Sequence, residues 1–255
     1  MRVTAIMNNK GGVGKTSTTV NMAAILAHDY SFRVLVVDAD SQANTTEFFG
    51  GVRACGCTFA DLLRRMDVND PVNQSNFEGV SLIGADDSLM DLDLSSVKAA
   101  TADTACLAHF LQRRSKSTWD YVLIDCPPAF NAASAAALLA ADDVIIPIKL
   151  DAFSLRGMAN LVQQITNMRQ INPRLRVAGL LPTMTYTSAA IRQAREALEK
   201  SKLPLFPPIR KSTKVDDMTY AQEPLIVSSP KSAACVDYRR FVTKYLAQEG
   251  GVSNG

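Results

Sequence analysis

The sequence predicts a single-domain α/β fold, a mostly parallel twisted sheet with helices on both faces, and three observations predict it. Short apolar runs alternate with helical patterns along most of the chain, the rhythm of βαβ units. The run from Arg33 to Val37 is continuously apolar and β-branched after its first residue, as a strand covered on both faces is. Polar residues gather where the runs end, at Asn8, Asp38 and Asp125, and the carboxyl ends of parallel strands are where such sheets form a ligand crevice.

Taken in order, Arg2 to Met7 reads as the first strand and Lys15 to Asp29 as the first helix, whose Val20, Ala23, Ala24 and Ala27 make a small-residue face. After the strand ending at Val37, Thr58-Phe59-Ala60-Asp61 opens a short helix in the manner of a capping box. Residues 69–76 read as loop, Val80 to Gly84 as a short strand, and the acidic stretch Asp86 to Asp93 as a solvated loop. Ala102 to Arg114 is helical in pattern, and Trp119 to Asp125 is a strand closed by a carboxylate. Helix 131–141, strand Val144 to Ile148, helix 155–170, strand Val177 to Leu181 and helix 189–200 continue the alternation. Leu205 to Val227 is punctuated by prolines and less regular, and Ala234, Tyr238, Phe241, Val242 and Tyr245 then recur at helical spacing as a core face. The domain is expected over 1–249, with 250–255 a disordered tail.

The stretch Asn8-Asn9-Lys10-Gly11-Gly12-Val13-Gly14-Lys15-Thr16-Ser17-Thr18 joins the first strand to the first helix. Glycines let successive backbone N–H groups turn inward on one anion, and the helix adds about half an elementary charge at its N-terminus. Strand, glycine loop and helix therefore make a phosphate cradle, in which Lys15 supplies a point charge and Thr16 a hydroxyl for Mg²⁺. The usual pattern G-x-x-x-x-G-K-[ST] is met except at its first position, where Asn9 stands, and a second lysine, Lys10, lies beside it. After such a loop, a strand ending in Asp125 and followed by Pro127-Pro128 reads as the carboxylate that holds a magnesium-bound water.

Composition narrows the class. A chain of 255 residues that is 47% hydrophobic can bury a full core. Its five cysteines, an odd number without a signal-like start, read as reduced thiols of a cytoplasmic protein. Cys55-Gly56-Cys57 has no second pair to complete a metal site. The longest apolar candidate for a membrane span, Ala132 to Ala141, is stopped by Asp142-Asp143, so no membrane association is expected. Positive charge concentrates late: residues 192–255 carry eleven basic and seven acidic side chains, against sixteen and eighteen before them. That asymmetry points to a polyanionic partner.

The lysine-glycine-glycine loop resembles the deviant Walker A loop of the ParA/MinD group of ATPases. With Asp38-Ala39-Asp40-Ser41-Gln42 similar to that group's D-x-D-P-Q, and Asp125 in the Walker B position, the chain resembles a ParA/Soj-type partition ATPase along nearly its whole length. The resemblance implies a P-loop NTPase that binds ATP and Mg²⁺ through Gly11, Gly12, Val13, Gly14, Lys15, Thr16 and Ser17, with Thr16 and Asp125 at the metal, the latter through water. It implies Lys10, Lys15 and Asp40 as catalytic residues, Lys10 reaching across an ATP-dependent homodimer and Asp40 orienting the attacking water. Ala178 to Met184 resembles the segment beside the adenine and Pro208 to Leu225 a loop closing over it, which makes Met184 and Pro208 candidates for the base pocket.

A protein of this kind, cytoplasmic and nucleoid-associated, binds double-stranded DNA without sequence preference as the ATP dimer and is released by a ParB-like activator. Arg192 and Arg195, three apart on one helix, and the cluster Arg210, Lys211 and Lys214 are the candidate DNA contacts. The chain starts at its first strand, without the helix-turn-helix extension of some plasmid relatives, so operator binding is not expected. The alternative is a MinD-like positioning ATPase for a non-DNA cargo, which would need a terminal amphipathic helix that Gly-Gly-Val-Ser-Asn-Gly cannot form. A nitrogenase-type reductase would need cysteines free to share a cluster, and a tyrosine-kinase relative a terminal tyrosine cluster; neither pattern is present.

Overall fold

The computed structural model describes residues 1–51, 57–64, 70–96, 103–114, 117–151 and 154–250. In chain order the elements are β1 (Arg2–Ile6), α1 (Lys15–Tyr30), β2 (Val34–Asp38), α2 (Asn44–Phe48), α3 (Phe59–Leu63), β3 (Asn73–Gln74), β4 (Val80–Ile83), α4 (Ser88–Ser96) and α5 (Cys106–Arg113). There follow β5 (Tyr121–Asp125), α6 (Ala132–Ala140), β6 (Asp143–Lys149), α7 (Ser154–Met168), β7 (Arg176–Thr183), α8 (Ala189–Glu199), α9 (Thr213–Ala221), α10 (Leu225–Ser228) and α11 (Ala233–Gly250). Seven strands form one sheet in the order β3-β4-β2-β5-β1-β6-β7. All pairings are parallel except that of β3 with β4.

Every residue of β2 and β5 is buried, which is why those runs are apolar without alternation. One face of the sheet is covered by α1, α10 and α11, whose Ala23, Ile25, Ile226, Phe241 and Val242 share a core with Val34, Val36 and Leu123. The other face carries α3 to α7, which pack Phe59, Leu107, Ala137 and Leu161 against Leu35, Val122 and Ile146. The predicted stripe Ala234, Tyr238, Phe241, Val242 and Tyr245 is buried throughout.

The differences from the sequence reading have identifiable causes. The acidic stretch 86–93 is not a solvated loop: α4 starts at Ser88 and buries Leu89 and Leu92, three apart on one face, while Asp86 Oδ1 accepts the Ser88 N–H at 3.2 Å. The charges around those two leucines mask the period. Asn73 and Gln74, inside the expected loop 69–76, pair with Leu82 and Ser81 as an antiparallel edge. Between 205 and 227 the chain holds α9 and α10, which bury Met218, Leu225 and Ile226. Helix α11 runs through Gly250, where the tail was expected to start; residues 251–255 lie outside the described residues, as do Cys55, Gly56 and Ala102.

Two polar ties cross the apolar layers. Asn21 of α1, 1% exposed, accepts the Leu225 N–H at 3.1 Å and donates to Ser17 O at 2.8 Å and Met218 Sδ at 3.2 Å, fixing α9 and α10 onto α1. At the amino edge of the sheet, buried Asp143 accepts from Arg2 Nε (2.7 Å), Arg176 Nε (2.5 Å) and Tyr245 OH (3.0 Å), which locks α11 to β6. Burial alone pushes the Asp143 carboxyl up, but the two guanidiniums outweigh it and hold the carboxyl below the usual range. A depressed carboxyl contributes stability above its unfolded pKa that is lost as pH falls through the folded value. Asp143→Asn is therefore expected to cost about 2 kcal/mol at neutral pH and to flatten the acid limb of the stability curve, checked by urea unfolding from pH 7 to 3. An unchanged acid limb removes Asp143 from the acid sensitivity.

Candidate nucleotide site

The glycine loop leaves β1 at the middle of the sheet and enters α1 at its carboxyl edge. Gly12 and Gly14 have φ of +67° and +87°, a region that side chains disfavour, and no side chain caps α1, so no cap claims the N–H groups of its first turn. Thr183, the last residue of β7, donates to Val13 O at 2.8 Å and pins the loop. Lys15 is 7% exposed and its Nζ donates to Lys10 O at 3.3 Å. Burial lowers its pKa, and the nearby Asp125 and Asp40 charges pull it back toward protonation. A cation held at the mouth of a glycine cradle is complementary to phosphate.

Register assembles the carboxylates. Asp38 and Asp125, the last residues of β2 and β5, are direct partners across the parallel pair. Thr16 Oγ1 donates to Asp125 Oδ2 at 2.7 Å and Thr45 Oγ1 donates to the same oxygen at 2.6 Å. Asp125 Oδ1 is buried and has no partner among the described residues. Asp38 accepts from the Thr46 N–H (2.8 Å), the Thr46 hydroxyl (2.7 Å) and the Asp40 N–H (3.1 Å). Burial raises the pKa of both carboxyls; at Asp38 the Asp125 charge adds to it, and at Asp125 the Thr45 and Thr16 hydroxyls oppose it. Hydroxyl and carboxylate oxygens with one orphaned acceptor are the donor set of a hard divalent cation, so the residues present fit Mg²⁺. Asp40 is half-buried in the turn after β2, where its carboxylate accepts the Gln42 N–H at 3.1 Å.

Met184, with φ of +52°, lines a cleft of about 80 Å³ beside the loop, together with Gly14, Ser17, Ile209, Val215 and Tyr238. The expected Pro208 is not part of its wall. Segment 209–211 is zipped to the end of β7 through Ile209 N to Pro182 O (2.8 Å) and Lys211 N to Thr185 O (2.9 Å), which presents Ile209 and its successors instead. Lys10 is ion-paired with Asp151, just beyond β6, and its N–H is held by Asn8 Oδ1 at 2.9 Å. Asn9, in the place of the missing glycine, donates to Gln164 Oε1 of α7 at 2.9 Å.

The predicted cations fall into two groups. Arg192 and Arg195 are both exposed on α8, Arg195 paired with Glu199 at 3.2 Å. Arg210 and Lys211 line the same cleft as Met184; Arg210 is bound to Asp237 at 2.7 Å, and Lys214 on α9 is bound to Asp217 at 2.9 Å. Sequence reasoning missed Asp38, Thr45 and Thr46 as parts of the site. Asp38 stood in the quoted D-x-D pattern, but the two threonines carry no spacing signal, since their partners are reached only through strand register.

The AAA domain family model matches residues 1–177. The chromosome partitioning protein ParA of Caulobacter vibrioides is 37% identical over 192 residues, 72% of this chain and 70% of its own. The sporulation initiation inhibitor protein Soj of Bacillus subtilis is 30% identical over 243 residues, 93% of this chain and 95% of its own. Among solved structures, cobyrinic acid a,c-diamide synthase from Mycobacterium smegmatis with bound ADP and magnesium superposes with a TM-score of 0.82 at 27% identity, covering 99% of this chain and 96% of that one. With the cradle, the paired strand-end carboxylates and these relatives together, the chain belongs to the ParA/Soj family of P-loop ATPases.

Proposed function

We propose that this protein is an ATP-hydrolysing, ATP-dependent dimerising switch that partitions DNA, binding duplex without sequence preference and released by a ParB-like activator. The observation that carries the reading is the second lysine. Lys15 already serves the chain's own phosphates, whereas the Lys10 side chain is 42% exposed beside Gly11 and Gly12, glycines with nothing within 4 Å of an added Cβ. A cation on an open glycine face is placed to meet the nucleotide of a facing subunit, once it leaves Asp151. The cradle and Lys15 would hold the phosphates of ATP, with Met184 at the base, and Thr16 together with Asp125, the latter through water, would hold Mg²⁺, which would neutralise charge on the phosphates. Asp40 orients the attacking water.

Each monomer's basic groups bind DNA weakly, and dimerisation places two sets on one duplex, which raises affinity without a new contact. The test is retention on immobilised duplex of arbitrary sequence with ATP, with ADP and without nucleotide. Retention is expected with ATP alone, falling steeply with salt, and Arg192→Ala with Arg195→Ala lowers it and shrinks the log–log salt slope by about two. Lys211 borders the base cleft, so Lys214→Ala is the cleaner probe of the second group. Absence of ATP-dependent retention in the wild type replaces this reading with a switch acting on another cargo.

Gly12→Val tests the face-to-face arrangement. Within one chain the new side chain meets open space, and the positive φ costs about 1 kcal/mol, so ATP binding is expected to survive in part. Against a facing subunit it intrudes, and light scattering should find only monomer with ATP. An ATP-dependent dimer of this variant argues against the sandwich.

A further inference from the structure

We propose that Thr45 is a positioning residue for the metal, fixing the Asp125 carboxylate so that Oδ1 is the oxygen left to a metal-bound water. The inference rests on the magnesium reading given above. Thr45 is fully buried in α2, and its hydroxyl donates to Asp125 Oδ2 at 2.6 Å. Thr16 donates to that same oxygen at 2.7 Å from the start of α1. Two hydroxyls from different elements thus converge on Oδ2, while Oδ1 is buried without a partner among the described residues.

A carboxylate tied through one donor can still turn about its last, broad torsion; a second donor on the same oxygen defines its plane. Thr16 cannot do this alone, because its hydroxyl oxygen is itself the expected metal ligand and must satisfy two geometries at once. The neighbouring Thr46 grips Asp38 in the same way through its N–H and hydroxyl, so consecutive threonines at the head of α2 hold both strand-end carboxylates. Outer partners of this kind orient a ligand for the ion, and losing one typically weakens metal binding about tenfold or more.

The test uses the full chain with Mn²⁺ as the probe, its binding in the presence of ADP followed by electron paramagnetic resonance, and ADP affinity measured separately in EDTA. Thr45→Val keeps the branched shape and removes the donor; Thr45→Ser keeps the donor and removes the methyl. Expected is Mn²⁺ binding weakened about tenfold or more in Thr45→Val, restored in Thr45→Ser, with ADP affinity in EDTA unchanged in both. If Thr45→Val loses ADP binding in EDTA, Thr45→Ala is judged by the same criteria. Wild-type Mn²⁺ affinity in the hydroxyl-free variant, or an equal loss in Thr45→Ser, overturns the proposal and makes the residue a packing element. Failure of the wild type to bind Mn²⁺ with ADP overturns the magnesium reading, and the proposal with it.

Discussion

Lys15→Ala raises the dissociation constant for ATP by a few hundredfold, about 3–4 kcal/mol, because the phosphates then face backbone dipoles alone. Calorimetric titration measures it, and unchanged affinity removes the phosphate-cradle reading altogether. A second measurement separates this from misfolding. Burial lowers the Lys15 pKa, so its charge is held at a cost in the nucleotide-free protein, a cost that is present at neutral pH and fades as pH rises. Removing the amine is therefore expected to leave the melting temperature without nucleotide unchanged or higher, while abolishing the rise that ATP gives the wild type.

Asp40→Ala binds ATP with ordinary affinity and hydrolyses it at least about a hundredfold more slowly, the range over which a positioned proton acceptor contributes. Its carboxylate also accepts the Gln42 N–H at 3.1 Å, so a slow alanine variant alone does not separate chemistry from a loosened turn. Asp40→Asn keeps the acceptor for that bond and removes the charge, and it is expected to be as slow as alanine. Steady-state phosphate release reads both, and normal turnover in the asparagine variant assigns Asp40 to the turn. The slow variants are expected to accumulate as ATP-bound dimers.

What was legible in the sequence was what depends on neighbours along the chain. The strands at Val34–Asp38 and Tyr121–Asp125 announce themselves because both faces are covered, and the glycine loop because its positive φ values demand glycine. The stripe of Tyr238, Phe241 and Tyr245 shows at helical period because one side of α11 lies on the core. What stayed hidden depends on partners distant in sequence. Helix α4 buries two leucines among aspartates, and α2 is too short to show a period. Thr45 lies eighty positions from Asp125, and only the adjacency of β2 and β5 joins them. The same holds for Lys10 and Asp151, which meet because β1 and β6 are neighbours.

The Asn21 tie gives the protein an internal clock. The Leu225 amide, which opens α10, is fully buried and bonded to a side chain of another helix rather than to its own. While α10 lies on α1 the amide proton is shielded from solvent, and Asn21 also holds Met218 of α9, the helix whose Val215 and Asp216 line the cleft beside the glycine loop. Hydrogen exchange at this one amide is therefore expected to follow the lifting of α10 from α1, and extra protection there with nucleotide, beyond that of other core amides, is the sign that binding steadies this wall of the cleft.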